Sequence, residues 1–205
     1  MQIYFVRHGE SEANILHEVS NRGFRHPLTE KGREQARTLA ASLRDVPVSK
    51  IYSSPLMRAV QVAEILAEKF KVPYETTDAL REYDCGIIEG QADDASWAMW
   101  SQLRHDWLVD QKWDSRIEGG ESFYDVQNRF VPFVEGLLNA DTNGVIVLVA
   151  HGGLFTCMLP LVLKNVSFEF AQSVGVTYTG AVIAETRTDG LYCLTWCGGM
   201  KGVRP

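Results

Sequence analysis

Two uninterrupted apolar runs stand out from an otherwise mixed pattern. The first is Ile3-Tyr4-Phe5-Val6; the second is Val145-Ile146-Val147-Leu148-Val149-Ala150. Both are rich in β-branched or aromatic residues and both run into glycine, which predicts short buried strands. After the first run come Ser11-Glu12-Ala13-Asn14 and then a loop over 20–27. Thr29 has the form of an N-cap, and Ala36, Leu39, Ala40 and Leu43 recur at helical spacing, predicting a helix to about residue 43. Ile51-Tyr52 marks another strand. Ser53-Ser54-Pro55 opens the next helix, with Pro55 expected at its first position and Val62, Ile65 and Leu66 along its apolar face to about Phe70. Residues 72–77 form a third short strand, and residues 80–90 read as a loop. Trp97, Trp100, Leu103 and Trp107 fall at helical spacing, as do Val126, Phe130 and Val134 in a helix over 122–138. Residues 141–144 are a turn, and 154–163 a buried helix. Thr188-Asp189-Gly190 between two apolar runs predicts a hairpin, and the tail from Gly198 is expected to fray.

Strands alternating with helices and closing in a hairpin predict an α/β fold: a three-layer α/β/α sandwich around a mixed, mostly parallel sheet. At 205 residues one domain over 1–205 is the simplest organisation. The tryptophan-rich segment at about 91–118 is either a helix packed on the core or a lid-like insertion whose aromatic face meets a ligand.

Composition narrows the function classes. The net charge of -6 and pI near 5.4 argue against nucleic acid as a partner. They also require any anion site to be built locally. No apolar stretch is long enough for a membrane span. No basic, apolar leader precedes the first strand, so a cytoplasmic protein is expected. The cysteines Cys85, Cys157, Cys193 and Cys197 form no Cys-x-x-Cys pair and are expected to be reduced. The pattern leaves a homodimer open.

The candidate chemistry sits where the two apolar runs stop. The first ends in Arg7-His8-Gly9 and the second in His151-Gly152-Gly153. Ligands of open α/β sheets bind at the carboxyl ends of strands, so two imidazoles are expected to face one crevice. Arg58, close to a helix start, is expected to point at the same edge and strengthen an anion site. The loop over 20–27 adds Arg22, Arg25 and His26, either solvated or forming a second anion contact. His17, His26 and His105 are otherwise expected to be surface or packed histidines, and Glu121 a turn or helix cap.

Arg7-His8-Gly9-Glu10 with Asn14, Ser53-Ser54-Pro55 with Arg58, residues 80–90 with Glu82, Gly119-Gly120-Glu121-Ser122, and Val149-Ala150-His151-Gly152 occur in the order of the histidine phosphatase, or phosphoglycerate mutase-like, superfamily. The chain resembles that family from its first strand to past residue 151. The resemblance implies that His8 is the nucleophile and becomes a phosphohistidine. It implies that Arg7, Arg58 and His151 hold the phosphate, with Asn14 and the amide end at Gly152 adding hydrogen bonds. Glu82 would be the proton donor, with Asp84 and Glu89 as rivals. It implies no metal and no cofactor, and a small phosphorylated metabolite as substrate. Phosphoryl transfer needs chiefly positioning and charge stabilisation, and planar guanidiniums suit phosphate oxygens.

The segment between Gly90 and Gly119 carries no adjacent basic pair, and Gly23-Phe24 stands where mutases have Gly-Trp. Those departures favour the phosphatase branch: a metal-independent phosphatase of a small phosphomonoester. The alternatives are a 2,3-bisphosphoglycerate-dependent phosphoglycerate mutase and a non-catalytic phospholigand-binding module.

Overall fold

Alternate residues of the two apolar runs serve different cores. Ile3, Phe5, Ile146, Leu148 and Ala150 belong to one buried cluster. Tyr4, Val6, Val145, Val147 and Val149 belong to another. A strand side chain changes face at every step, so a run without polar positions has to be covered on both sides. That is the arrangement in the computed structural model, which describes residues 1–138 and 144–199.

The elements run β1 (Gln2–Arg7), α1 (Glu12–Leu16), α2 (Glu30–Ser42), β2 (Val48–Ser53), α3 (Met57–Phe70), β3 (Tyr74–Thr76), α4 (Asp94–Leu108), α5 (Phe123–Leu138), β4 (Val145–Ala150), α6 (Gly152–Val162), α7 (Phe168–Val174), β5 (Ala181–Arg187) and β6 (Gly190–Trp196). Sheet order is β3-β2-β4-β1-β5-β6. The first four strands are parallel, and β5 and β6 add an antiparallel edge. Helices α2 and α3 cover one face through Ala36, Leu39, Ala40, Ala59, Val62 and Leu66. Helices α4 to α7 cover the other through Leu103, Trp107, Phe130, Phe155 and Ala171 among others. This is the expected three-layer α/β/α sandwich with its mixed, mostly parallel sheet.

The local departures are short elements. Helix α1 has no sequence forecast. Its five residues are too few to show a period, and its start is fixed by Asn14 Oδ1, which accepts from the Ser11 N–H at 3.0 Å. Helix α7 has no sequence forecast either; Ser167 caps it, accepting from the Phe170 N–H at 3.1 Å. Pro55 is not the first helical residue. It lies in the turn before α3, whose N-cap is Leu56, so Arg58 is the second residue of the helix. Residues 80–90 are not wholly irregular: short 3-10 turns occur at Asp78–Leu80 and Gly86–Ile88. Gly86 has φ +59°, and a Cβ there would sit 1.9 Å from Glu118 O, so only glycine lets the two loops touch. Helix α6 starts two residues earlier than forecast, with His151 as its N-cap. Most of the turn forecast at 141–144 and the tail beyond residue 199 lie outside the described residues.

Candidate active site

Strand register places the first chemical groups. Arg7 pairs with Ala150 across β1 and β4, and Ser53 with Val149 across β2 and β4. The next residues along, His8, His151 and Ser54, therefore leave the sheet together at its carboxyl edge. The ladder continues one step into them. The His8 N–H donates to Ala150 O at 3.0 Å, and the Ser54 N–H to Val149 O at 2.9 Å. The His8 and His151 rings lie 5.2 Å apart between centroids, and both are buried.

Hydrogen bonds define the His8 tautomer. Its Nδ1 lies 2.6 Å from Gly9 O. A carbonyl oxygen only accepts, so Nδ1 carries the hydrogen and Nε2 keeps a lone pair. The Arg58 Nε–H donates to that Nε2 at 3.2 Å, consistent with the assignment. Burial, followed by the charges of Arg58 and Arg7, pushes the His8 pKa well below the usual imidazole value. His8 is thus held as a free base with one exposed type of chemistry, a nitrogen lone pair.

His151 is held in a related way. Its Nε2 lies 2.7 Å from Ser54 Oγ. That hydroxyl also accepts the Leu56 N–H at 3.2 Å, and with two lone pairs it can serve either neutral tautomer of His151. Burial and the nearby Arg58 push its pKa well below the ordinary value. Around His8, three buried polar atoms have no partner: Arg7 Nε, Arg58 Nη1 and His151 Nδ1. Arg7 is aimed by its Nη1–H donating to Val176 O at 2.7 Å and by the Tyr178 ring, 4.3 Å from its guanidinium carbon. Burial lowers the Arg58 pKa to about 10, so it stays charged at neutral pH.

Glu82 comes from the loop before Gly86. Its Oε2 accepts from the Gly153 N–H at 2.9 Å, and its Oε1 from the Tyr83 N–H at 3.2 Å. Loss of hydration raises its pKa above the usual carboxylate value, opposed by those amides and by Arg58. The start of α6 therefore holds a carboxyl group through Gly153. Gly152 serves Arg7 by its size: a Cβ there would lie 3.1 Å from Arg7 Nε. The rivals are engaged elsewhere. Asp84 pairs with Arg22 at 2.8 Å, and Glu89 accepts the Asn21 and Arg22 amides. Glu121 ties the Asp84 N–H, at 2.8 Å, to Arg129, also at 2.8 Å, and so braces the Glu82 loop from beneath.

Arg7, His8, Asn14, Arg58, Glu82 and Gly152 all line one cavity of about 540 Å³; His151 lies behind its wall, beside His8. Because Asn14 Oδ1 is occupied by Ser11, its amide nitrogen is the free end. The anion contact considered for the 20–27 loop is corrected. Arg22 pairs with Asp84 and Arg25 with Glu18, and neither lines the cavity; each had a carboxylate within reach that the sequence did not reveal. His26 is buried against Ser20 Oγ at 2.7 Å, while His17 stacks on Trp97 and His105 faces Asp110. The tryptophans divide. Trp107 is fully buried, whereas Trp97 and Trp100 line the cavity. Ser54 and Tyr178 are site residues to which sequence reasoning gave no role. Ser54 lay inside a stretch read for its helix start; Tyr178 carries no local signal. Among the described residues no group of three or more His, Cys, Asp or Glu is placed to hold a metal, and no helix is long and apolar enough to cross a membrane.

The family model of the histidine phosphatase superfamily (branch 1) matches residues 3–198. The chain belongs to that superfamily. A histidine phosphatase relative from Proteus mirabilis (strain HI4320), named "Probable phosphoglycerate mutase GpmB", is 33% identical over 163 residues, covering 80% of this chain and 75% of the relative. The solved structure of Bacillus stearothermophilus YhfR superposes with a TM-score of 0.82 at 25% identity, covering 99% of each chain. The α-ribazole phosphatase from Shigella flexneri shares the fold at a TM-score of 0.80, 22% identity and 96% of each chain. The superfamily's neighbours thus bear both phosphatase and mutase names.

Proposed function

We propose that this histidine phosphatase family member is a metal-independent phosphatase that hydrolyses a small phosphomonoester through a phosphohistidine on His8. The observation that carries the reading is the cluster of unpartnered buried nitrogens on Arg7, Arg58 and His151 around the His8 lone pair. A buried polar nitrogen without a partner is costly, and the oxygens of one phosphoryl group satisfy both guanidiniums and a His151 that carries its hydrogen on Nδ1.

The first step is attack of His8 Nε2 on phosphorus. The N–P bond forms as the ester P–O bond breaks, and Glu82 gives its proton to the departing oxygen. An alkoxide leaves poorly, and general acid help is worth about 10²–10⁴-fold. Arg7, Arg58 and His151 hold the oxygens, with Asn14 adding its amide. In the second step Glu82, now a carboxylate, takes a proton from water. The water oxygen bonds to phosphorus, the N–P bond breaks, inorganic phosphate leaves, and Glu82 is protonated again.

Release of inorganic phosphate from p-nitrophenyl phosphate in EDTA is the test, with acid-labile phosphate trapped on His8 during turnover. His8→Ala is expected to abolish both; activity surviving that change removes His8 from its role. The mutase name of the Proteus relative favours a second reading, phosphoglycerate mutase. Interconversion of 3- and 2-phosphoglycerate without phosphate release would replace hydrolysis with it.

A further inference from the structure

Glu82 stands on a loop outside the sheet, and the Gly119-Gly120-Glu121-Ser122 string takes no part in the proposed bond changes. The two meet backbone to backbone. A Cβ at Gly120 would lie 2.6 Å from Asp84 O, so a side chain there would push the loops apart. The Glu121 N–H donates to Asp84 O at 2.9 Å, and the Asp84 N–H donates to Glu121 Oε2 at 2.8 Å. Behind Glu121 stands Arg129, in α5. Its Nε–H donates to Glu121 Oε1 at 2.8 Å and its Nη2–H to Oε2 at 3.0 Å. This is a bidentate pair with both side chains only 16% exposed. The Arg129 Nη1 hydrogens go to Asp78 O at 3.0 Å and Ala79 O at 3.1 Å. One guanidinium therefore clips the chain on both sides of Glu82, at 78–79 before it and, through Glu121, at 84 after it. A second tie on the later side, Arg22 to Asp84, is open to solvent at the arginine and is worth less for that.

We infer that Arg129, acting through Glu121, is a positioning residue for the proton donor: it sets where the Glu82 carboxyl stands relative to the departing oxygen and leaves the grip on phosphate to other elements. The inference rests on the phosphatase reading for the role of Glu82. Neither Arg129 nor Glu121 lines the cavity, so neither touches substrate. Amides at Gly153 and Tyr83 fix where the carboxyl points, and Arg129 fixes the backbone that carries it. A general acid works only within about 2.6–3.2 Å of the oxygen it protonates, and a misplacement of about 1 Å can cost roughly 10²-fold. The phosphate ligands stand on separate supports, at the ends of β1 and β4 and the start of α3. The Arg129 charge does reach His151, where it lowers the pKa less than burial, Arg58, His8 and Arg7 do. Lysine at 129 keeps that charge and loses the fork, which separates the two effects.

The test varies the leaving group. Phenyl phosphate needs a proton on its departing oxygen, whereas 2,4-dinitrophenyl phosphate releases a stabilised phenolate without one. kcat/KM reports the first transfer, to His8. Arg129→Met should lower it by about 10- to 10²-fold for phenyl phosphate and leave it near the unmodified value for the dinitrophenyl ester. Arg129→Lys should recover only part of the loss. Inhibition by inorganic phosphate should be unchanged in both variants. Far-UV circular dichroism and the melting temperature establish that each is folded. Should Arg129→Met not fold, Glu121→Gln takes its place: it keeps an acceptor for the Asp84 N–H, weakens the pair, and should give the same pattern at smaller size. Glu82→Gln supplies the pattern of a missing acid. Equal losses on the two esters, full recovery in Arg129→Lys, or weakened phosphate inhibition gives Arg129 a general structural or charge role and overturns the inference. A leaving-group effect present in Glu82→Gln and absent from the Arg129 and Glu121 variants overturns it while the phosphatase reading stands. No leaving-group effect in Glu82→Gln, or no hydrolysis of either ester by the unmodified protein, ends the reading of Glu82 and the inference with it.

Discussion

His8 and Glu82 are pushed in opposite directions by the same burial, and that opposition sets the pH behaviour of the proposed reaction. His8 works as a free base, and its pKa lies well below 6.5, so the acid limb of kcat/KM should fall well below that pH. Glu82 works protonated in the first step, and its pKa is raised above 4.5. Activity should therefore decline as pH rises through that raised value. Glu82→Gln is expected to lower kcat by about 10²–10⁴-fold and to remove the alkaline limb; a limb that persists in this variant assigns it to another group. Gly153→Ala probes the same carboxyl by size alone. A Cβ at Gly153 would lie 2.8 Å from Glu82 Oε2 and 2.7 Å from the Tyr83 ring, so kcat should fall while phosphate affinity holds. An unchanged kcat would show that Glu82 position is not limiting. At this scale Arg7, His8, Arg58 and His151 were legible as strand-end and helix-start groups, whereas Glu82 stood out only through the family resemblance. Ser54 and Tyr178 were not legible, because their roles consist only of which distant side chain they touch.

Helix α4 illustrates how one element serves two ends. Its Trp107 side chain is fully buried, edge-on to Tyr83 and Phe123, with its indole N–H donating to Ser115 O at 2.8 Å. Trp97 and Trp100, on the turns before it, face the cavity. Trp107→Ala is expected to cost about 3–5 kcal/mol of stability, read from the urea midpoint. Trp97→Ala should leave the midpoint much closer to wild type and raise KM. Equal destabilisation by both changes would make the whole helix core. Helical spacing found α4 in the sequence but did not divide its faces, since tryptophan suits a core and a ligand wall equally well. The long helices were legible from a sustained period, and strands β1 and β4 from unbroken apolar runs. The short ones, α1 and α7, were not, because five or seven residues are held by caps and neighbours and not by pattern.

For the whole molecule, two buried neutral imidazoles make folding depend on acid. The pKa values of His8 and His151 are depressed in the folded chain, whereas the unfolded chain titrates them near the ordinary 6.5. Below that pH the unfolded state binds more protons, so stability rises with pH up to about 6.5 and levels above it. Each histidine contributes a slope of up to about 1.4 kcal/mol per pH unit between its depressed value and the ordinary one. Glu82, with a raised pKa, acts in the opposite sense: it favours the folded state at low pH, and that contribution is lost as pH rises from about 4.5 through its folded value. Urea unfolding at pH 5, 6 and 7 should show the rise, and His151→Gln should flatten it. A flat profile in the unmodified protein would mean that the imidazoles are not buried as neutral groups.

The sequence by itself determined the layering and the family. A strand without polar positions needs cover on both faces, and a histidine at the end of such a strand can emerge only at the sheet's carboxyl edge. These are local consequences of backbone period, and residues 3–6 and 145–150 state them outright. Which charges remain free for a ligand was decided only by tertiary structure. Arg22, Arg25 and Arg104 look alike along the chain, yet Asp84 and Glu18 neutralise the first two, and among the described residues no carboxylate lies within 4.0 Å of the third, which lines the cavity beside Trp100. Pairing between charges depends on distances of a few ångströms between segments far apart in the chain, and that information does not exist until the chain is folded.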